Sequence, residues 1–386
     1  MADVVPASGT VHWVGAGLST GTGLGVVCDE ADRVRLWHRT VDRAAASLAV
    51  RGLDGRAAPR ALTVDALARE LGAGDVLVSM LPATEHAALL RLCVDRGAHF
   101  ACTSYVSDEL RELSHAAAEA GLAVLAEVGL DPGIDHLFAH SLVGRARAAL
   151  GDAAGTARFT SYCGGVPSVP NEFRYRFSWA PRGVLGALRS PATYVADGRP
   201  TTVARPWEAT RTVRLGDETF EVYPNRDSVP FVAWYAFPPS WQVAEFVRGT
   251  LRLDGWLAAW APVFATLRTG DDAAVHALAD DLAARYPTTD TDRDRVVLVV
   301  ALDVEGDDGR RWSGRYTLDL IGDDTDSAMA RCVSQPLAFG VREILSGALP
   351  AGLHRAAATP EDADRWLVHL AERGITCALD VRTDAA

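Results

Sequence analysis

Short apolar runs alternating with helix-like stretches constrain the first 135 or so residues more than any other feature of this chain. Val11–Val14, Val34–Trp37, Asp75–Pro82, Ala98–Cys102 and Val124–Val128 each have the length and composition of a buried strand. Between them, apolar residues recur at helical spacing. Leu110, Leu113 and Ala117 do so behind Ser107, an N-cap residue followed by Asp108 and Glu109. Strands that alternate with helices in this way form a parallel, doubly wound sheet of the α/β class. Such sheets bind ligands beyond the carboxyl ends of their strands.

The turn after the first run is rich in glycine. Gly15-Ala-Gly17 follows Val14 at once, and Leu18-Ser19-Thr20-Gly21 leads into a helix-like segment. Glycines there let the backbone approach a pyrophosphate at a helix N-terminus. Gly15, Gly17, Leu18, Ser19 and Thr20 are therefore candidate dinucleotide contacts, with Thr20 standing where a GxGxxG pattern has its third glycine. The second run ends in His38-Arg39-Thr40. An acidic residue at that strand end would bind the ribose hydroxyls of NAD, whereas an arginine can pair with a 2′-phosphate. Arg39, beside Thr40, thus favours NADP(H) over NAD(H), the alternative being a solvated arginine on a loop. Leu81 and Pro82 end the next run, where a dinucleotide would lie.

The stretch Ala126–Phe138, AEVGLDPGIDHLF, gathers Glu127, Asp131, Asp135 and His136 where a buried strand turns into a helix. Asp131-Pro132 reads as a helix start, because Asp caps orphan amides and Pro is tolerated in the first turn. Asp131 thus has two readings, helix cap or ligand-facing acid. Asp135 and His136 read as structural partners.

The chain of 386 residues is long enough for two domains, and it contains no lysine. Lysine Schiff bases and general bases are excluded, so anion recognition falls to arginine, amides or hydroxyls. A net charge of −12 argues against nucleic-acid or anionic-membrane surfaces. The six cysteines form no CxxC pair, so no metal site is expected, and reduced thiols in the cytoplasm are the default. No secretion signal or membrane span is legible.

Beyond the first domain the pattern becomes mixed α+β, with strand candidates at Phe159–Cys163, Arg174–Trp179, Thr219–Tyr223, Phe246–Leu253, Arg295–Leu302 and Trp312–Ile321. Residues 1–135 plus 322–386 read as the dinucleotide domain and 136–321 as a substrate domain, with a helical insertion at about 238–290. Thr376–Val381 is a candidate last strand. Pro336 reads as a kink or a restart in the last long helix, and Trp179, Trp234 and Trp256 read as core.

Several segments, in order from about residue 11 to the end, together resemble the glutamate-forming saccharopine dehydrogenases, or saccharopine reductases. EVGLDPGIDH resembles their signature. So do Thr103–Ser107, Ser161–Gly165, Phe177–Val184, Tyr223–Ser228 (YPNRDS), Arg248–Arg252 (RGTLR) and Ser327–Ala330. The glycine loop and Val169–Tyr175 depart from the family pattern. The resemblance implies a Rossmann-type doubly wound sheet completed by the C-terminal segment, with an inserted α+β substrate and dimerisation domain carrying a small helical insertion. It implies a homodimer in lysine metabolism that uses NADP(H), with an amino-acid substrate bearing carboxylates. The reaction joins aminoadipate semialdehyde to glutamate as an imine and reduces it to saccharopine, reversibly. Carboxynorspermidine-type coupling and a non-catalytic dinucleotide sensor are the alternatives. By position in the motifs, Asp131, Cys163 and Tyr105 are candidate catalytic residues. Arg226, Asn225, Arg182 and Ser104 are candidate substrate contacts, with internal ion pairing the alternative for the arginines.

Overall fold

The computed structural model describes residues 3–151, 153–178, 180–287, 289 and 291–384. Its first part runs β1 (Thr10–Val14), α1 (Gly23–Glu30), β2 (Arg33–His38), α2 (Val41–Val50), β3 (Ala58–Ala61), α3 (Val64–Glu70), β4 (Val76–Ser79), α4 (His86–Arg96), β5 (His99–Cys102), α5 (Asp108–Glu119), β6 (Ala123–Leu125) and α6 (Ile134–Leu150). There follow β7 (Gly155–Pro167), α7 (Pro181–Arg189), β8 (Ala192–Ala196), β9 (Arg199–Val203), β10 (Arg211–Leu215), β11 (Glu218–Pro224), α8 (Pro230–Trp234) and β12 (Trp241–Leu253). Then come α9 (Trp256–Ala259), α10 (Ala261–Thr269), α11 (Asp272–Arg285), β13 (Asp294–Gly306) and β14 (Arg311–Ile321). The chain ends with α12 (Ala328–Leu345), β15 (Gly352–His354), α13 (Pro360–Glu372) and β16 (Ala378–Asp384). Two units result: Met1–Leu137 with Ala330–Ala358 and Arg365–Arg373, and Phe138–Met329 with Thr359–Asp364 and Gly374–Ala386.

The first unit holds a seven-stranded, all-parallel sheet in the order β15-β6-β5-β4-β1-β2-β3. β1, β4, β5 and β6 are buried along their whole length, as expected of strands covered by helices on both faces. Trp37, Leu77, Phe100 and Val124 from the sheet pack with Leu90, Cys93, Leu110 and Ala117 from α4 and α5. Side-chain caps start α2, α3 and α5: Thr40, Thr63 and Ser107 accept from the Arg43, Ala66 and Leu110 amides.

The second unit holds a nine-stranded sheet, β10-β11-β12-β7-β13-β14-β16, with β8 pairing β12 and β9. Only β7 and β12 run parallel; the other pairs are antiparallel. An aromatic cluster of Tyr175, Tyr223, Trp256, Trp260 and Phe264 joins α9 and α10 to the sheet.

Several expectations shift. The run from Val124 stops being a strand at Leu125, because Glu127 takes a left-handed φ of 56°. α6 begins at Ile134, so Asp131-Pro132 lies in the loop before the helix. The helical insertion is α9–α11, and part of the span expected for it is β12. The return to the first sheet is made by β15, whereas β16 pairs with β14 of the second sheet. α12 runs through Pro336 without a break. Arg174 takes a φ of 56°, and Arg174–Ser178 forms no strand beyond an isolated bridge from Phe177 to Pro287. Trp179 lies outside the described residues, while Trp256 is fully buried. Among the described residues no helix is long and apolar enough to cross a membrane.

Candidate active site

The β1–α1 turn is built for close approach. Gly15 has φ 100°, and a Cβ there would press within 3.2 Å of Leu81 and the Met80 backbone. A Cβ at Gly17 would meet nothing within 4 Å, so the loop is open at that point, and Leu18 is exposed. Thr20 is buried, and its carbonyl accepts from Arg51 Nε and Nη2 at 3.2 and 2.7 Å. The close-approach role of a third glycine falls to Gly23. Its amide donates to Ser334 Oγ at 3.1 Å, and a Cβ there would overlap the Ser334 carbonyl of α12. Gln335 Nε2 donates to Thr22 Oγ1 at 2.8 Å beside it. Gly23→Ala is therefore expected to cost about 1–3 kcal/mol of stability, read as a lower urea midpoint. An unchanged midpoint would contradict the close packing of α1 on α12. Arg39 is exposed at the end of β2, and Thr40 caps α2 next to it.

The loops leaving β5 and β6 carry the polar cluster. Tyr105 Oη donates to Asp131 Oδ1 at 2.6 Å. The first amides of α6 find backbone carbonyls, Ile134 to Gly129 and Asp135 to Leu130, and Gly133 donates to Asp135 Oδ1 at 2.6 Å. Glu127, 2 % exposed, ties four segments together. Its Oε1 accepts from the Val106 amide at 2.9 Å, and its Oε2 faces His136 Nε2 and Arg355 Nε, both at 3.0 Å. His136 Nδ1 lies 3.3 Å from Asp135 Oδ2. Burial alone would raise the Glu127 carboxyl. The His136 hydrogen bond and charge, with Arg355 and the Val106 amide, outweigh it and bring it down to about 2. Ser104, half-buried, bonds His86 Nε2 at 2.8 Å and accepts the Glu127 amide on its carbonyl at 3.1 Å.

In the second unit the motifs converge on adjacent strands. Cys163, 9 % exposed in β7, lies in register with Thr250 of β12, which lies in register with Tyr223 of β11. Asn225 and Arg226 follow β11 directly. The Asn225 amide donates to the Arg248 carbonyl at 2.9 Å, and the Arg226 carbonyl accepts from Thr193 at 2.8 Å. Arg226 is exposed, with a left-handed φ of 57°. Arg248 and Arg252 are buried cations on aromatic faces, Arg248 4.0 Å from the Phe231 ring centroid and Arg252 4.9 Å from that of Tyr175. Arg182 is exposed, and its fork is engaged by Asp280 of α11 at 3.2 and 2.6 Å, an internal ion pair.

Residues 11–125 match the saccharopine dehydrogenase NADP binding domain, and residues 129–375 match the saccharopine dehydrogenase C-terminal domain. The chain belongs to the saccharopine dehydrogenase family. It is 38% identical over 260 residues to the saccharopine dehydrogenase (NADP+, L-glutamate-forming) of Pyricularia oryzae, across 65% of this chain and 56% of that protein. The Saccharomyces cerevisiae protein of the same name is 38% identical over 198 residues, across 50% of this chain and 43% of that one. The chain thus spans about half the length of the curated relatives it matches. The apo structure of the Saccharomyces cerevisiae saccharopine dehydrogenase (L-Glu forming) is similar over 97% of this chain and 100% of that one, with a TM-score of 0.79 and 27% identity. A homospermidine synthase from Legionella pneumophila shares the fold, with a TM-score of 0.65 at 10% identity over 99% of this chain and 93% of that one.

Against this family frame, some participants were not legible as such. Glu127 is marked in the sequence only as the one charge among Val124, Leu125, Ala126 and Val128. Arg355, 228 positions away, carries no such mark. Neither do Ser334 and Gln335, whose role depends on how α12 meets α1.

Proposed function

We propose that this chain is an NADP(H)-dependent oxidoreductase acting on a secondary-amine C–N bond, interconverting saccharopine with glutamate and aminoadipate semialdehyde. The Tyr105–Asp131 hydrogen bond carries the proposal: a half-buried carboxylate, engaged by a phenol, sits on the loop beyond the carboxyl end of β6. The open β1–α1 turn and the family membership support it.

NADPH, when bound, supplies the hydride. The turn is open at Gly17, and Gly15, Gly17, Leu18, Ser19 and Thr20 would hold a pyrophosphate. Leu81 and Pro82 follow β4, and Arg39, beside Thr40, would pair with the 2′-phosphate. Asp131 holds the proton that keeps an imine nitrogen cationic for reduction, and receives it from the amine in the reverse direction. The Tyr105 hydroxyl stabilises the ionised form of Asp131, and Cys163 assists proton transfer. Arg226, with Asn225, grips a substrate carboxylate through its planar fork. Ser104 adds a hydroxyl, whereas Arg182 keeps its partner Asp280. The protein works as a cytoplasmic homodimer, which light scattering can check.

Two measurements test this. Arg39→Ala is expected to weaken NADPH about tenfold, the loss of one charge-assisted contact, while leaving NADH unaffected; unchanged NADPH affinity would sink the cofactor assignment. In a substrate panel followed by NADPH absorbance, semialdehyde with glutamate is expected to turn over and semialdehyde with diamines is not. No turnover with any pair would favour a dinucleotide sensor.

A further inference from the structure

A string of polar side chains within the first unit runs along the carboxyl edge of the parallel sheet. Ser79 ends β4, Ser104 follows β5, and His86 opens α4. His86 Nδ1 lies 3.1 Å from Ser79 Oγ, and Nε2 lies 2.8 Å from Ser104 Oγ. Ser79 is 1 % exposed and His86 is 3 % exposed, while Ser104 is half-buried.

The direction of this string follows from counting acceptors. Ser79 Oγ accepts the Leu81 amide at 3.4 Å, which leaves the Ser79 hydrogen to be placed. Among the described residues the one other partner of that hydroxyl is His86 Nδ1. A buried hydroxyl gains by placing its hydrogen on an acceptor, and Nδ1 is the acceptor within reach, so it donates to Nδ1. Burial brings the His86 ring down to about 4, so the imidazole is neutral near pH 7. With Nδ1 accepting, a neutral ring carries its proton on Nε2 and donates it to Ser104 Oγ. The Ser104 hydrogen is then directed away from His86, and no partner among the described residues takes it.

We propose that His86 is a positioning residue: held as the Nε2–H tautomer by Ser79, it makes Ser104 a hydrogen-bond donor toward an anionic oxygen of a bound ligand. That oxygen belongs to a substrate carboxylate or a cofactor phosphate, an identity that rests on the proposed function; the tautomer does not rest on it. A glutamine can imitate the ring here, offering its amide oxygen to Ser79 and its amide N–H to Ser104. A leucine can do neither.

The test combines a spectroscopic readout with binding on the full chain. Long-range proton–nitrogen NMR of histidine-labelled protein, with His86 assigned by its loss in His86→Gln, is expected to show a neutral Nε2–H ring. An Nδ1–H ring would overturn the proposal even if the protein proves inactive on saccharopine, an outcome that by itself would remove only the proposed function. His86→Leu is expected to raise either the KM for saccharopine or the Kd for NADPH about tenfold, with His86→Gln within about twofold of the native protein. The first result assigns the oxygen to a carboxylate and the second to a phosphate. In a Ser104→Ala background, His86→Leu is expected to add nothing further. His86→Leu leaving both constants unchanged, or adding its full effect without the Ser104 hydroxyl, would overturn the proposal. Should His86→Leu fail to fold, the tautomer and the His86→Gln constants decide.

Discussion

Glu127→Ala is expected to lower the unfolding free energy by about 3–5 kcal/mol at neutral pH, a large share of the roughly 5–15 kcal/mol of a typical domain. The carboxylate is buried and meets the Val106 amide, His136 and Arg355 at 2.9–3.0 Å. Its removal leaves a buried amide, an imidazole and a guanidinium without their common partner, and breaking such a cluster costs more than the pairing itself contributes. The same carboxylate gives the stability a pH signature. Its folded pKa of about 2 lies below the ordinary 4.5, so its contribution is fully present above 4.5. It is lost as pH falls from 4.5 toward about 2. Over that window the loss is on the order of 3 kcal/mol. Urea denaturation followed by circular dichroism, repeated from neutral pH down to the acid limb, measures both effects. Glu127→Gln keeps the shape and removes the titration, so its acid slope should be shallower than that of the native protein. Equal slopes would contradict the role given to this residue.

Asp131→Ala is expected to lower kcat/KM for saccharopine oxidation by about 10²–10³, within the range for a positioned acid–base group. The fold should survive, because the first amides of α6 are satisfied by the Gly129 and Leu130 carbonyls. Tyr105→Phe removes the 2.6 Å hydrogen bond to the carboxylate and leaves the ring, and about a tenfold loss is expected. Because the role proposed for Tyr105 is exercised through Asp131, the double variant should be no slower than Asp131→Ala alone. Full additivity would separate the two residues, and an Asp131→Ala enzyme within about threefold of native would remove Asp131 from the chemistry.

β1, β4 and β5 of the first sheet are legible because they are short, mostly apolar and punctuated by glycine or helix caps such as Ser107. The end of β6 is not. Nothing local to Glu127 announces a left-handed φ, which persists because partners from the Ser104–Val106 loop, α6 and Arg355 hold the side chain in place. Asp131-Pro132 has the composition of a helix start, yet backbone carbonyls do that work and the carboxylate meets Tyr105. The convergence of Cys163, Thr250 and Tyr223 was hidden, because strand order in a mixed sheet is set by long-range pairing, not by periodicity. β15 escaped notice because three residues, Gly352–His354, are too few for a pattern.

Incubating the full chain with NADP+ and saccharopine, and counting products, tests the central claim most directly. NADPH, glutamate and aminoadipate semialdehyde are expected in equal amounts, and the reverse mixture is expected to consume NADPH and give saccharopine. Binding of NADPH without any product from saccharopine in either direction would contradict it.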